Sequence, residues 1–295
     1  ERTPMTLRRY LQLDVFADRP GAGNPLAVVL DAEGLDDATM QAIARWTRLP
    51  ETTFVSPASG PDADYGIRMF SPRREVPFAG HPSVGTAHAV LESGLAVPRE
   101  GVLVQDGIAG KLPLLVDGNG HRRTIAVRTP RASLSRIGSP GEPVLAAALG
   151  GLPLGRLPPA LMAGGRRWWL AEVADESALR AARPDWPAIA TLAADTDTMG
   201  LCVFARSDDP VYYLAVRAWV GSTGCFEDAA SGAANATLAA WLALRDALPG
   251  DGGAYRISQG REVGHDAIIE LRVDDAGEVW SGGRVVTVVD GMIDW

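Results

Sequence analysis

Apolar positions in this chain alternate over short stretches far more often than they recur at helical spacing, which predicts many strands and few long helices. Residues 10–16 alternate as a half-buried strand, and 26–30 form a continuous apolar run, as in a strand covered on both faces. Turn formers crowd the connection between them, DRPGAGNP. Asp36 reads as the N-cap of a helix over 37–48, with Met40, Ile43, Ala44 and Trp46 or Thr47 turned to the core. Pro50 stops it, Glu51 follows, and a strand covers 52–55. Strands are expected at 65–70 and 123–127, with a hairpin between 102–104 and 112–116. Over 129–143 the composition turns to Ser, Pro, Gly and Arg, marking a boundary between domains 1–128 and 129–295, with the last strand returning to the first. The second half then predicts a helix at 144–149, a Gly/Pro/Leu-rich connector at 150–165 and a strand at 168–173. Asp175 and Asp185 read as caps of two short helices. Strands at 201–205, 211–219, 255–258, 267–273 and 284–289 complete the pattern.

One stretch occurs twice. Residues 75–90, EVPFAGHPSVGTAHAV, are echoed by 227–242, EDAASGAANATLAAWL. Each follows a strand and runs from an acidic residue through small residues and a glycine into an apolar helix. A helix beginning at Ala-Gly or Ser-Gly leaves bare N–H groups at the positive end of its dipole, a ready anion site. For one copy alone, a buried helix with glycine at a tight contact is the simpler reading. Repetition favours two helix starts facing a single small acid. The preceding strands also match, Arg68-Met69-Phe70 with Arg217-Ala218-Trp219. Aligning Gly80 with Gly232 pairs Ala79 with Ser231, although the loop before the second glycine is longer. The expectation is therefore an α+β fold of two strand-rich halves, each with a central helix, rather than a doubly wound sheet. Neither a Gly-x-Gly-x-x-Gly turn nor a P-loop supports nucleotide binding.

Composition narrows the function. With 295 residues and 46% hydrophobic positions, the chain can bury a sizeable core. A net charge of −8 argues against a nucleic-acid or anionic-membrane surface. No apolar run approaches the roughly 20 residues of a membrane helix. The first ten residues lack the apolar core of a secretory signal, and Met5 is read as the natural start. Two cysteines, Cys202 and Cys225, give no disulfide framework and suit a reducing cytoplasm.

The candidate chemistry is acid–base. His81 and His88 are separated by about 10 Å along a helix at 1.5 Å per residue, too far to share a metal, and no Cys or His falls at zinc spacing. No Gly-x-Ser-x-Gly nucleophile motif occurs. Glu51 has two readings: an exposed carboxylate at a helix end, which local sequence favours, or a desolvated carboxyl at a buried strand start, able to take and give a proton near neutrality. His81, in the first turn of its helix, is disfavoured as a cation by the dipole and reads as a neutral hydrogen-bonding group or a core histidine. Asp228 accepts a proton, orients an ammonium or merely caps the second helix.

Asp14-Val15-Phe16, Gly23-Asn24-Pro25-Leu26-Ala27-Val28-Val29, Glu51-Thr52-Thr53-Phe54-Val55, Arg68-Met69-Phe70, Pro77-Phe78-Ala79-Gly80-His81-Pro82 and Glu227-Asp228 occur in the order seen in the PhzF-like isomerases of phenazine biosynthesis, which this chain resembles. The resemblance implies a diaminopimelate-epimerase-like fold: two pseudo-symmetric domains, each a barrel-like sheet around a helix, with the active site between them. It implies Glu51 as catalytic acid/base, His81 and Asp228 as supporting catalytic residues, and Gly80, Ser231, Gly232 and Ala233 as the substrate-binding positions. It further implies a homodimer that needs no cofactor and acts on a small carboxylic or amino acid. Related racemases place a cysteine before each helix glycine; here those positions are Ala79 and Ser231, which excludes a two-thiol mechanism. A single acid/base suits double-bond isomerisation. Two other readings stand: an epimerase using Glu51 and Asp228 as paired bases, and a non-catalytic metabolite-binding protein. The chain departs from the family pattern at Pro50, where serine is usual, and at Ala233, where the loss of a hydroxyl expected to contact substrate puts the phenazine precursor in question but not the reaction type.

Overall fold

The computed structural model describes residues 6–250 and 252–295; Met5 lies outside them. The chain divides into two compact units, one running to Arg128 and including Gly282–Trp295, the other Thr129–Ser281. The first contains β1 (Leu7–Val15), β2 (Asn24–Val29), α1 (Asp37–Thr47), β3 (Glu51–Ser56), β4 (Tyr65–Phe70) and β5 (Glu75–Val76), followed by α2 (Gly80–Glu92), β6 (Val102–Gly107), β7 (Gly110–Asp117) and β8 (Thr124–Arg128). The second contains β9 (Ser133–Ile137), α3 (Pro143–Leu149), β10 (Ala160–Gly164), β11 (Arg166–Glu172), α4 (Glu176–Ala181), α5 (Trp186–Thr196) and β12 (Gly200–Arg206). It continues through β13 (Leu214–Val220), β14 (Phe226–Asp228), α6 (Gly232–Leu244), β15 (Ala254–Gln259) and β16 (Ala267–Val273) to β17 (Val279–Gly283), which crosses the boundary. Strand β18 (Val285–Asp294) belongs to the first unit.

The two units repeat one topology. In the first, β18–β1–β2 are antiparallel, β2–β3 parallel, β3–β4 antiparallel, β4–β6 parallel and β6–β7 antiparallel, with β5 folded back on β4. The second runs β9–β10–β11 antiparallel, β11–β12 parallel, β12–β13 antiparallel, β13–β15 parallel and β15–β16 antiparallel, with β14 folded back on β13. Each sheet surrounds one helix. In α2 every residue from His81 to Val90 is buried, and α6 is buried along most of its length. A helix apolar on all sides has no solvent face to present, so it must sit inside a sheet that curls around it. α2 packs on β1, β2, β3, β6, β8 and β18, and α6 on β9, β10, β11 and β16.

Most strands lie where alternation placed them, and the misses have physical causes. Trp46 is 63% exposed and packs against Trp295, with ring centroids 5.8 Å apart. The inward stripe of α1 is Met40, Ile43, Ala44 and Thr47, at i, i+3, i+4 and i+7, so a residue one position earlier falls off it. Thr47 instead pairs its hydroxyl with that of Thr52 at 2.9 Å. Strand β9 falls inside the stretch read as a boundary, because all five of its residues are exposed and carry no apolar alternation. Strand β10 hides in the connector read as irregular, and β5 and β14 are two and three residues long.

The close fit of α2 to its sheet depends on Gly85. A Cβ there would lie 2.5 Å from Leu26 Cδ2 and 2.8 Å from Val15 Cγ2, both fully buried side chains. In an exposed helix, Gly→Ala stabilises by about 1 kcal/mol. Here overpacking should dominate, and Gly85→Ala should lower unfolding stability by about 1–3 kcal/mol, measured by urea denaturation. A stability gain would show that the helix does not press on β1 and β2 as described.

Candidate active site

Strand β3 opens with Glu51, paired in parallel with Leu26, and Thr52 and Thr53 beyond it are fully buried. The Glu51 side chain is only 20% exposed. Of its two sequence readings, the buried strand start describes it and the exposed helix end does not. Helix α2 starts at Gly80 after Ala79, whose side chain offers no cap. Ser83 N–H donates to the Ala79 carbonyl, the first intrahelical bond. The amides of Gly80 and His81 therefore have no intrahelical acceptor, and Pro82 has no N–H to offer.

His81 closes on Glu51: its Nε2 lies 3.4 Å from Glu51 Oε2. That separation is within ion-pair range, yet Nε2 makes no hydrogen bond. The two observations are reconciled by the charge of the ring. Burial pushes the His81 pKa down to about 3, opposed by a hydrogen bond to the Pro25 carbonyl, so the imidazole is neutral at pH 7 and forms no salt bridge. Desolvation thus does what the helix dipole was expected to do. With Nε2 unbonded, Nδ1 is the nitrogen that donates to Pro25, and the Nε2 lone pair faces the carboxyl group.

In the second unit, Asp228 ends β14. Its Oδ1 accepts from the Ala230 amide at 3.2 Å, and its carbonyl accepts from Gln259 Nε2 at 2.7 Å. It does not cap α6. That role falls to Ser231, whose Oγ accepts from the Ala234 amide at 3.3 Å. Ser231 N–H is already committed to Gln259 Oε1 at 3.2 Å, and Asn235 Nδ2 donates to the same oxygen at 2.8 Å. Only the amides of Gly232 and Ala233 are left without an intrahelical acceptor. This is a narrower donor set than the sequence implied. Gln259 carried no local signal, since it reaches the loop from β15; Asn235, a polar residue inside an apolar helical run, did.

The expected residues therefore fall into two groups. Glu51, Gly80 and His81 gather in the first unit, and Asp228, Ser231, Gly232 and Ala233 in the second. Both cysteines are free: Cys202 is buried in β12, with its thiol pushed up to about 12, and Cys225 is exposed in the loop before β14. Neither stands at a helix start. Among the described residues, no three His, Cys, Asp or Glu side chains cluster to hold a metal ion, and no helix is long and apolar enough to cross a membrane.

Comparison with known proteins gives this frame its family. Residues 13–291 match the family described as phenazine biosynthesis-like protein. The chain belongs to that family. It is 32% identical over 273 residues to a trans-2,3-dihydro-3-hydroxyanthranilate isomerase of Pseudomonas aeruginosa, covering 92% of each chain. It is 30% identical to antisense-enhancing sequence 1 of Schizosaccharomyces pombe, covering 97% of this chain and 99% of that one. The Bacillus anthracis member of the PhzF family superposes with a TM-score of 0.82 at 24% identity, over 98% of this chain and 99% of that one. A hydroxyproline epimerase from Agrobacterium vitis shares the fold at a TM-score of 0.65 and 14% identity, over 99% and 92% of the two chains. The phenazine biosynthesis-like chain thus has the diaminopimelate-epimerase-like α+β fold, and it is an isomerase.

The buried histidines make the first unit sensitive to acid. His88 is held down to about 4, mainly by burial, with the Arg123 cation acting the same way and Glu92 opposing. Both folded pKa values lie below the unfolded value of about 6.5, so below that pH the unfolded chain binds more protons and stability falls. From pH 6.5 to pH 5 each histidine should remove about 1.6 kcal/mol, the slope rising towards about 1.4 kcal/mol per pH unit as the unfolded ring becomes fully protonated. His88→Gln should roughly halve the loss, read as melting temperature against pH. A pH-independent melting temperature over that window would contradict the burial of both rings.

Proposed function

We propose that the protein moves a proton between two carbons of a small, conjugated cyclic carboxylic or amino acid, without a cofactor, and that Glu51 is the single acid/base. The observation that carries this is the approach of a neutral histidine to a mostly buried carboxyl group. A lone pair on His81 Nε2 repels a carboxylate oxygen and attracts a carboxylic acid proton, so the ring gives the proton a place to be held between its removal and its return. Glu51 takes a proton from one carbon. The electron pair left behind delocalises through the conjugated system towards the substrate carboxylate. Glu51 then returns the proton to another carbon on the same face, and the double bond has migrated.

The amides of Gly80 and His81 are assigned to the substrate carboxylate, where negative charge grows during the reaction, and Ser231, Gly232 and Ala233 are assigned as substrate-binding positions of the second unit. Asp228 is assigned to the amino group or hydroxyl of the substrate. The relatives named as trans-2,3-dihydro-3-hydroxyanthranilate isomerases act by name on a cyclic amino acid of this kind, which supports the substrate class. Ala233 offers no hydroxyl to such a substrate, so the favoured compound carries one fewer polar group at that end. A homodimer belongs to the same proposal.

Glu51→Gln should fold as the parent does and lose turnover by roughly 10²–10⁴-fold, the range for a removed general acid/base. The assay follows the absorbance of a panel of cyclic dienyl acids, trans-2,3-dihydro-3-hydroxyanthranilate among them. Anthranilate, flat and fluorescent, serves as a non-reacting probe of carboxylate binding and should bind both forms. Full turnover by the variant would refute the assignment. Deuterium uptake at an α-carbon without bond migration would favour paired bases, Glu51 and Asp228.

A further inference from the structure

Both units carry the same clamp just ahead of the helix start. In the first, Arg68 Nε and Nη2 bond the two oxygens of Glu75 at 2.7 and 2.8 Å. In the second, Arg217 Nε and Nη2 bond those of Glu227 at 3.0 and 2.8 Å. Each guanidinium also lies over the aromatic ring two residues on, 5.1 Å from Phe70 and 5.2 Å from Trp219. The register agrees: Phe70 stands opposite Glu75, and Trp219 opposite Glu227. Gly80 follows Glu75 by five positions, and Gly232 follows Glu227 by five. The extra length of the second loop lies wholly before its glutamate. Between clamp and helix the two copies share their spacing but not their residues.

Each arginine is tied further into its own unit. Arg68 Nη1 reaches Asp37, in the first turn of α1, at 2.7 Å. Arg217 Nη1 donates to the carbonyls of Leu179 and Ala182, at the C-terminal end of α4, at 3.0 and 2.6 Å. The cation there meets the negative end of a dipole, and the Leu179 carbonyl it bonds also accepts the Ala182 amide. A bidentate pair fixes both distance and angle, which a single point charge does not. The glutamate becomes a rigid anchor, and five residues later the helix must begin at a set place.

We propose that Arg68–Glu75 and Arg217–Glu227 are positioning pairs that set the two helix starts, and with them the amides of Gly80, His81, Gly232 and Ala233 and the carboxyl of Asp228. What those groups bind rests on the function proposed above; that the clamps place them does not. Stability is a poor alternative reason for the pairs. The Arg217 and Glu227 side chains are 4% and 3% exposed, and an ion pair that deeply buried is often replaced by apolar residues with no loss of stability, whereas removing one partner strands a charge.

That asymmetry supplies the test. Arg217→Met with Glu227→Leu removes the second clamp, and Arg68→Met with Glu75→Leu removes the first, each without leaving a lone buried charge. Both double variants should melt close to the parent. Amide hydrogen exchange should quicken by at least about 10-fold over residues 228–234 in the one, and over 76–82 in the other, with the remaining amides unchanged. Anthranilate affinity should fall by about 10-fold in each. Arg217→Lys, which keeps the charge and loses the fork, should reproduce the local exchange change in weaker form. The Arg68–Glu75 pair, with side chains 32% and 24% exposed, carries the test should the buried double variant fail to fold. Unchanged exchange at both helix starts overturns the proposal. A parent that does not bind anthranilate would instead sink the proposed function, and exchange would still decide the clamps.

Discussion

The function proposed for this isomerase rests on one contact, between the buried His81 ring and the mostly buried Glu51 carboxyl group. A histidine at the start of a helix would ordinarily be half protonated near pH 6.5. His81 is not, because α2 is enclosed by its own sheet and desolvation outweighs the hydrogen bond to the Pro25 carbonyl. The neutral ring then offers Glu51 a lone pair instead of a positive charge. A cation there would hold the carboxyl as a permanent anion, a base that could take a proton only with difficulty and would give it back too readily. The enclosure of the helix, which is a matter of packing, thus sets the proton chemistry of the strand beside it.

The fold repeats a frame and varies its details. Seven pairings occur in the same order in both units, and the helix that each sheet encloses starts five residues beyond a clamped glutamate. The chemistry differs between copies. In the first, the residue ahead of the glycine is Ala79, which leaves the helix start bare, and a histidine follows. In the second it is Ser231, which caps the helix itself, while Gln259 takes the serine amide and Asn235 ties into the same oxygen. One frame therefore carries an uncapped helix start followed by a histidine in the first unit and a capped, hydrogen-bonded one in the second. Neither helix start carries a cysteine.

Much of this was legible before any coordinates. Apolar alternation located most strands because a half-buried strand imposes a period of two, and the duplicated stretch announced the repeat. The surroundings of Glu51 are harder to read. Nothing local in Pro50-Glu51-Thr52 says that the carboxyl is covered, because the cover comes from His81, thirty positions away, and from β2. Gln259 was silent for the same reason. Strand β9 was invisible since its residues face solvent and owe their conformation to pairing with β10. Between Trp46 and Thr47 the sequence leaves the inward position open, and the helical stripe takes Thr47 and leaves Trp46 exposed.

The central claim concerns where protons sit, and nitrogen NMR of the histidine side chains observes that directly. In ¹⁵N-histidine-labelled protein at pH 7, with His81 assigned by comparison with a His81→Gln variant, the account predicts a neutral ring in the Nδ1–H tautomer, with Nε2 unprotonated. That state should persist down to the pH at which the protein unfolds. An imidazolium signal at pH 7, or a ring that titrates at the ordinary histidine pH, would contradict it.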